Sequence, residues 1–213
     1  MLDLLIPSLA ETLYMLVLSG FFSVLLGFPL GIVLILTEKE GLAENRFINQ
    51  ILNTLINILR SVPFIILVII LFPLSRLIVG TPIGTKASIV PLAISAAPIV
   101  ARVTESSIKE VDRGVVELGL SLGASNFEII TRILIPEALP SIISGITLTM
   151  VNLIGYSAMV GAIGGGGLGD LALQYGHYRK KTDILIVSVI VIILLVQIVQ
   201  FIGDSLSRLS DKR

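Results

Sequence analysis

Residues 117–136 have the sequence ELGLSLGASNFEIITRILIP and lie in a polar segment between two long apolar runs. The apolar residues that precede Gly123 recur at helical spacing and predict an amphipathic helix; they are Ile108, Val111, Val115, Leu118 and Leu122. Gly123 suits the left-handed conformation that ends many helices. Ser125 and Glu128 form a capping-box pattern that predicts a second helix, and we expect Pro136 to end it. The sequence therefore predicts two helices joined by a tight turn at residues 123–125.

The segment from 102 to 140 is long for a connection between two apolar runs, and long connections are usually functional. Its shape alone leaves two interpretations open. The two helices can pack as an amphipathic pair on the protein's own surface or on lipid headgroups, or they can bind a partner.

The composition indicates a membrane protein with several spans. Of the 213 residues, 54% are hydrophobic and 14% are charged, with 15 basic and 15 acidic side chains. Soluble domains carry about 25% charged residues, so this chain has too few to cover a soluble surface. The high hydrophobicity excludes intrinsic disorder, and the absence of cysteine excludes a disulfide scaffold and a zinc–cysteine site. The zero net charge argues against a nucleic-acid partner.

Three uncharged runs are long enough to cross a bilayer, which takes about 20 apolar residues. They cover residues 13–37, 141–169 and 184–203. Two shorter runs, 61–75 and 87–101, end at basic residues and can extend as helices beyond them. We therefore expect one domain over residues 1–213 with five spanning helices, at about 12–37, 52–74, 87–103, 141–164 and 184–203.

Basic residues are distributed unequally between the two sides that five spans create. One side carries nine of them, in the 38–51 loop, the 102–140 loop and the C-terminal tail, whereas the other carries five. Because basic residues concentrate in cytoplasmic loops, the first side is expected to be cytoplasmic. We accordingly expect an outward N-terminus and a cytoplasmic C-terminus.

The spacing of Glu117, Gly123, Ile133 and Pro136 resembles the EAA loop of bacterial ABC-importer permeases. The pattern of that loop is E-A-A-x(3)-G-x(9)-I-x-L-P. Three residues depart from the pattern, namely Leu118, Gly119 and Ile135. Leu118 can crowd a helix contact where the family has a small residue.

Four further motifs resemble segments of amino-acid importers. Arg60-Ser61-Val62-Pro63-Phe64 resembles the R-[GS]-x-P segment of amino-acid importer permeases. The GYSAM motif at 155–159, the glycine-rich run at 164–169 and the QYG motif at 174–176 are most similar to permeases of methionine uptake.

The resemblance implies the type I ABC-importer permease fold, an all-α membrane domain of five transmembrane helices with a cytoplasmic coupling loop at 104–140. It implies methionine transport across the bacterial cytoplasmic membrane by alternating access. The implied partners are a second permease copy, two ATPase subunits and an extracytoplasmic substrate-binding protein. In such importers the turn between the two cytoplasmic helices inserts into a groove on the ATPase. The residues thereby assigned to coupling are Glu117, Gly119, Gly123, Ala124, Ser125 and Pro136.

Four residues are candidates for the pore or its gate. Tyr156, Ser157 and Met159 lie in the fourth predicted span, where they can simply pack between helices. The resemblance implies instead that this methionine lies near the axis of the permease pair and helps to close the pore. Arg60 lies near the cytoplasmic end of the second span, where it can snorkel to the interface or line the pore. Pro63 is expected to kink that span.

We expect no catalytic, cofactor-binding or metal site in this chain. It has no Walker pattern, so a partner must bind and hydrolyse ATP. The glycine-rich run at 164–169 favours close packing or a hinge over substrate contact. Gly167-Leu168-Gly169-Asp170 matches the G-x-G-D motif of intramembrane aspartyl proteases, but no second aspartate is placed to pair with Asp170. His177 has no neighbouring metal ligands.

Two alternatives to methionine import stay open. The substrate can be another amino acid or a small organic solute, or the chain can be a secondary carrier or channel that needs no ATPase. Ion-coupled carriers usually place charged residues inside the membrane, and none lies in the middle of a predicted span here. Without a charged site in the spans, selectivity is expected to reside in the binding protein.

Overall fold

The computed structural model describes residues 2–211, which form ten α-helices and two π-helical segments and contain no strand. The α-helices are α1 (Leu2–Thr37), α2 (Arg46–Ser61), α3 (Phe64–Ile70), α4 (Phe72–Val79), α5 (Thr85–Lys109), α6 (Arg113–Ser121), α7 (Asn126–Glu128), α8 (Ile135–Gly161), α9 (Gly167–Leu171) and α10 (Thr182–Ser210). The π-helical segment Ile129–Leu134 joins α7 to α8, and the π-helical segment Ala172–Tyr178 continues α9.

Four helical stretches are long and apolar enough to cross a membrane. They are Leu2–Thr37, Thr85–Lys109, Asn126–Gly161 and Thr182–Ser210. A fifth span results if α2 and α3 are counted as one, although the two helices meet at an angle of 105°. The helices extend beyond the predicted spans, because α1 begins at Leu2 and α10 continues to Ser210.

The region predicted as one span over 52–74 is divided among α2, α3 and α4. The first break follows from Pro63, because a proline ring disfavours the helical conformation of the residue before it. Val62 is accordingly extended, with φ −78° and ψ 125°. Pro63 therefore produces a sharp turn between two helices where the sequence predicts a kink within one.

Helix α5 occupies the centre of the bundle, where it contacts α1 along much of their length and also contacts α8. Small residues permit the approach of α1, since a Cβ on Gly27 or Gly31 would collide with a backbone carbonyl of α5. The largest apolar cluster lies between these helices and includes the buried residues Met15, Leu92, Leu153, Ile154 and Val160.

The glycine-rich run at 164–169 brings α9 against α1 and α8. Gly166 and Gly167 have φ values of 80° and 81°. A Cβ on Gly166 would lie 2.7 Å from an oxygen of Glu11, and a Cβ on Gly167 would lie 2.7 Å from the hydroxyl of Thr12. These contacts confirm the predicted packing role of the run. Residues 165–183 lie between the fourth and fifth predicted spans, and residues 167–178 of this connection are helical.

Candidate functional site

Helices α6 and α7 form a hairpin, residues 113–128, that leaves the helical bundle after α5. The side chain of Asp112 caps α6 by accepting a hydrogen bond from the backbone N–H of Gly114 at 2.7 Å. The apolar spacing predicts one helix from Ile108 to Leu122, but α5 ends at Lys109 and α6 begins after this cap.

Two capping motifs fix the turn of the hairpin. Gly123 has φ 82°, and its N–H donates to the carbonyl of Leu120 at 2.9 Å, while the N–H of Ala124 donates to the carbonyl of Gly119 at 3.1 Å. This pair of bonds is a Schellman motif. The hydroxyl of Ser125 accepts from the N–H of Glu128, whose carboxylate accepts from the N–H of Ser125 at 3.1 Å. The left-handed glycine and the capping box are both confirmed.

The prediction that Pro136 ends the second helix is wrong. The helix continues through Pro136 and runs from Asn126 to Gly161. The π-helical register explains this, because the N–H of Ile135 donates to the carbonyl of Ile130, five residues earlier. A wider turn relieves the clash of the proline ring with the preceding carbonyls, and the missing N–H is tolerated there. The hairpin is consequently continuous with a helix long enough to span a membrane.

The turn of the hairpin presents large apolar side chains to solvent. Leu122 is 79% exposed and Phe127 is 73% exposed. Beneath them Gly119 is buried, and a Cβ at this position would lie 2.8 Å from Cδ1 of Ile133. Leu122 and Phe127 therefore form part of the exposed surface of the hairpin.

The six residues predicted to act in coupling are not all in one place. Glu117, Gly123 and Ser125 are exposed on the hairpin, Ala124 is half-buried, and Gly119 faces the π-helical segment. Pro136 lies apart from them at the start of α8.

The hairpin is also attached to the segment that follows α1. The side-chain amide of Asn126 donates to the carbonyl of Leu42 at 2.9 Å, and Arg113 lies 3.5 Å from the carboxylate of Glu40. A cavity of about 380 Å³ separates α6 from this region, and Glu117 is among its lining residues.

A network of charged side chains lies at the C-terminal end of α5, next to the hairpin. The largely buried carboxylate of Glu105 accepts from Arg102 at 2.7 Å and from Lys109 at 2.8 Å, and Lys109 also binds Glu38 at 2.6 Å. Arg102 donates in addition to the side-chain oxygen of Asn57 in α2, at 3.0 Å. This network links α5 to α2 and to the residue that follows α1.

A second cavity, of about 300 Å³, lies between α2, α3, α5 and α8. Arg60 and Tyr156 both line it, so two of the predicted pore residues lie together. The ring of Tyr156 stacks on Phe64 with centroids 4.4 Å apart and planes 10° apart. Ser95 and Asn152 also line the cavity.

The other two candidates for the pore lie elsewhere on α8. Ser157 is buried and donates to the carbonyl of Ile154 at 2.7 Å, and Met159 is exposed beyond the cavity. Sequence analysis missed Asn152, although a polar residue one helical turn before Tyr156 within an apolar run is a usable signal.

Comparison with known proteins identifies relatives over nearly the whole chain. Residues 23–213 match the family described as binding-protein-dependent transport system inner membrane component. The chain is 50% identical over 211 residues to the probable D-methionine transport system permease protein MetI of Vibrio cholerae, covering 99% of this chain and 94% of that protein. It is 43% identical over 181 residues to the methionine import system permease protein MetP of Bacillus subtilis, covering 85% and 82%.

Solved structures share the fold. A chain of the MetNI methionine ABC transporter in inward-facing conformations superposes with a TM-score of 0.97 at 39% identity, covering 100% of this chain and 98% of that one. A chain of an amino acid ABC transporter with histidines superposes with a TM-score of 0.79 at 20% identity. Together with the family match, these similarities mean that the chain belongs to the inner membrane permease components of binding-protein-dependent transport systems.

Proposed function

We propose that this chain is the membrane-spanning subunit of an ATP-driven methionine importer. The observation that carries the proposal is the agreement with a MetNI methionine transporter chain, which extends over 100% of this chain at a TM-score of 0.97. The names of the sequence relatives in Vibrio cholerae and Bacillus subtilis support the same substrate. Methionine crosses the membrane by alternating access of a route formed with a second copy of the chain.

The partners follow from the hairpin. A separate ATPase subunit binds its exposed tip, where Leu122 and Phe127 present apolar surface. One hairpin per chain requires two chains to engage two ATPase subunits. A substrate-binding protein delivers methionine from the opposite side, consistent with the family to which the chain belongs.

Rigidity of the hairpin is the physical basis of coupling. When ATP closes the ATPase dimer, the hairpin moves as a unit because its two caps hold the turn. The movement passes into the transport route because the second helix continues through Pro136 to Gly161. Glu117, Gly119 and residues 123–125 act at the ATPase contact, whereas Pro136 acts by its position in this continuous helix.

The proposed orientation follows from the hairpin and the basic residues. The hairpin and the C-terminus are cytoplasmic, and the N-terminus faces outward across the bacterial cytoplasmic membrane. Arg60, Tyr156 and Met159 belong to the transport route, and Ser157 supports it by fixing the backbone of α8 through its bond to Ile154.

The test is methionine uptake into proteoliposomes that contain this chain, its ATPase partner and its binding protein. Glu117→Lys reverses a charge on the hairpin, and Asp204→Lys is the matched control because Asp204 is exposed in α10, outside the hairpin. The proposal expects ATP-dependent uptake that Glu117→Lys abolishes and Asp204→Lys retains. Uptake of a different solute alone would overturn methionine as the substrate, and uptake without ATP would establish a secondary carrier.

A further inference from the structure

The cavity between α2, α3, α5 and α8 combines polar side chains that lack internal partners with an apolar wall. Within residues 2–211, the structure records no hydrogen bond or ion pair for the side chains of Arg60, Asn152 or Tyr156, which all line this cavity. Arg60 and Asn152 are exposed and Tyr156 is half-buried, so a ligand can reach these groups, and a cavity that joins a few polar groups to an apolar wall has the composition of a small-molecule site.

Arg60 differs from the other basic residues around it. A neighbouring cavity of about 400 Å³ is lined by Arg60, Arg102 and Lys109, so Arg60 faces both cavities. Arg102 and Lys109 are neutralised by Glu105, and Lys109 also by Glu38. Across residues 2–211, Arg60 has no carboxylate within ion-pair distance. A planar guanidinium without an ionic partner is suited to bind a carboxylate ligand through two parallel hydrogen bonds.

Other residues that line the cavity can accept hydrogen bonds from an ammonium group. The hydroxyl of Ser95 donates to the carbonyl of Leu92 at 2.8 Å, which leaves the lone pairs of its oxygen available. The amide oxygen of Asn152 and the hydroxyl oxygen of Tyr156 are further acceptors. A carboxylate near Arg60 and an ammonium near these oxygens is the arrangement of an α-amino acid.

The remaining wall is apolar and selects the side chain of the ligand. It consists of Leu59, Val62, Leu67 and Ile99 together with the stacked rings of Phe64 and Tyr156. Aromatic rings and branched aliphatic groups favour an apolar side chain, and a thioether sulfur gains further from contact with ring edges.

We infer that this cavity is a low-affinity site for a free α-amino acid with an apolar side chain, in which Arg60 binds the α-carboxylate. The site deepens the proposed function and rests on it, because it gives the transported zwitterion a place to pause within the permease itself. Arg60 is exposed and also lines the neighbouring cavity, so a ligand bound to it can exchange, as a transport route requires.

The test measures binding without transport. Saturation-transfer NMR is recorded for L-methionine with the purified complex of two chains and two ATPase subunits, in the absence of binding protein. L-Methioninol, which lacks the carboxylate, is the second probe. Arg60→Gln is expected to weaken methionine binding about tenfold or more, because a charge-assisted hydrogen bond is lost, and to leave methioninol binding unchanged. Arg46→Gln is the control, since Arg46 is exposed at the start of the same helix and pairs with Glu44.

A second variant keeps the inference testable if Arg60→Gln does not fold. Asn152→Ala removes a candidate ammonium contact from a different helix and is expected to weaken the binding of both probes. Equal methionine binding by Arg60→Gln and the unmodified complex would overturn the inference, as would methionine signals that neither variant changes. Transport is scored separately: absence of ATP-dependent methionine uptake by the unmodified complex refutes the proposed function, whereas normal uptake by Arg60→Gln refutes only the site.

Discussion

The carboxylate of Glu11 accepts a hydrogen bond of 2.7 Å from the backbone N–H of Gly167, a residue 156 positions further along the chain. The neighbouring hydroxyl of Thr12 accepts from the N–H of Leu168 at 2.9 Å. The first N–H groups of a helix have no partner within the helix itself. Two side chains of α1 therefore accept hydrogen bonds from the first N–H groups of α9 and connect these two helices.

Replacement of Glu11 is expected to weaken this connection. Glu11→Ala leaves the N–H of Gly167 without its acceptor in a poorly hydrated place, which should lower the free energy of unfolding by about 1–3 kcal/mol. Glu11→Gln keeps an acceptor oxygen and should cost less. The measurement is thermal unfolding of the detergent-solubilised protein, followed by circular dichroism. Asp3→Ala, at an exposed position of α1, is the control, and equal melting temperatures for Glu11→Ala and the control would contradict the prediction.

Asp170 provides a pH-dependent prediction in the same region. Burial raises the pKa of the Asp170 carboxyl above its ordinary value of 3.8, and the negative charge of Glu11 acts in the same direction. A raised pKa in the folded state means that the protonated carboxyl favours folding. This contribution is complete below pH 3.8 and is lost as the pH rises through the folded pKa.

The variant Asp170→Asn should therefore be more stable than the unmodified protein at pH 7, because it has no charge to desolvate. The difference in melting temperature should shrink as the pH is lowered towards 3.8. Asp183→Asn, at an exposed position, controls for a general effect of removing negative charge. A stabilisation by Asp170→Asn that stays constant from pH 7 to pH 4 would show that ionisation of Asp170 is not its cause.

The parts of the fold that the sequence predicts are those fixed by neighbouring residues. The turn of the hairpin depends on Gly123, Ser125 and Glu128, whose interactions all lie within a few positions, and the structure has the predicted caps. The close packing of the glycine-rich run was also predictable, because small residues allow it wherever they occur. Its partners Glu11 and Thr12 were not, since their distance along the chain leaves no local signal.

At two proline positions, in contrast, the neighbouring residues do not determine the local structure. A proline normally interrupts a helix, yet the helix passes Pro136 because the preceding residues adopt a π-helical register. At Pro63 the chain bends by 105° between two helices, whereas the sequence predicts a kink within one helix. Which response occurs depends on packing around the proline rather than on the proline itself. For the same reason the stack of Phe64 on Tyr156, which positions one wall of the cavity, required the tertiary structure.

The network at the end of α5 should be sensitive to loss of its central carboxylate. Glu105→Gln leaves Arg102 with a weaker partner and leaves Lys109 paired with Glu38, and a hydrogen bond to a charged group contributes about 1.5–3 kcal/mol. Because the basic partners are partly exposed, the expected loss of stability is near the lower end of that range. Glu44→Gln removes an exposed pair with Arg46 and should have little effect. Equal loss for the two variants in thermal unfolding would argue against the network.

Gly119 should tolerate one methyl group but not a large side chain. A Cβ would lie 2.8 Å from Cδ1 of Ile133, the flexible end of a side chain, so Gly119→Ala needs only a small adjustment. Gly119→Leu should push α6 away from the π-helical segment at a cost of about 1–3 kcal/mol. The expected consequence is ATP hydrolysis with less uptake per ATP, measured by both rates in one set of proteoliposomes. An unchanged ratio for Gly119→Leu would mean that this contact does not transmit the movement of the ATPase.

Gly123 allows a direct test of coupling, because a substitution there can change the backbone of the turn without a steric clash. No atom lies within 4 Å of a Cβ built there, so Gly123→Asn should be tolerated at about the 1–2 kcal/mol that the left-handed conformation costs a side chain. Gly123→Pro fixes φ near −65°, which is incompatible with the observed 82°, and removes the N–H that binds Leu120.

Gly123→Pro should therefore abolish ATP-dependent uptake while the protein still inserts into the membrane, because the damage is confined to the exposed turn of the hairpin. The measurement combines uptake in proteoliposomes with the amount of chain recovered from the membrane fraction, and Gly123→Asn should retain most of the uptake. Normal uptake by Gly123→Pro would exclude the turn from coupling. Loss of uptake by both variants would instead point to the identity of the side chain at this position rather than to the geometry of its backbone.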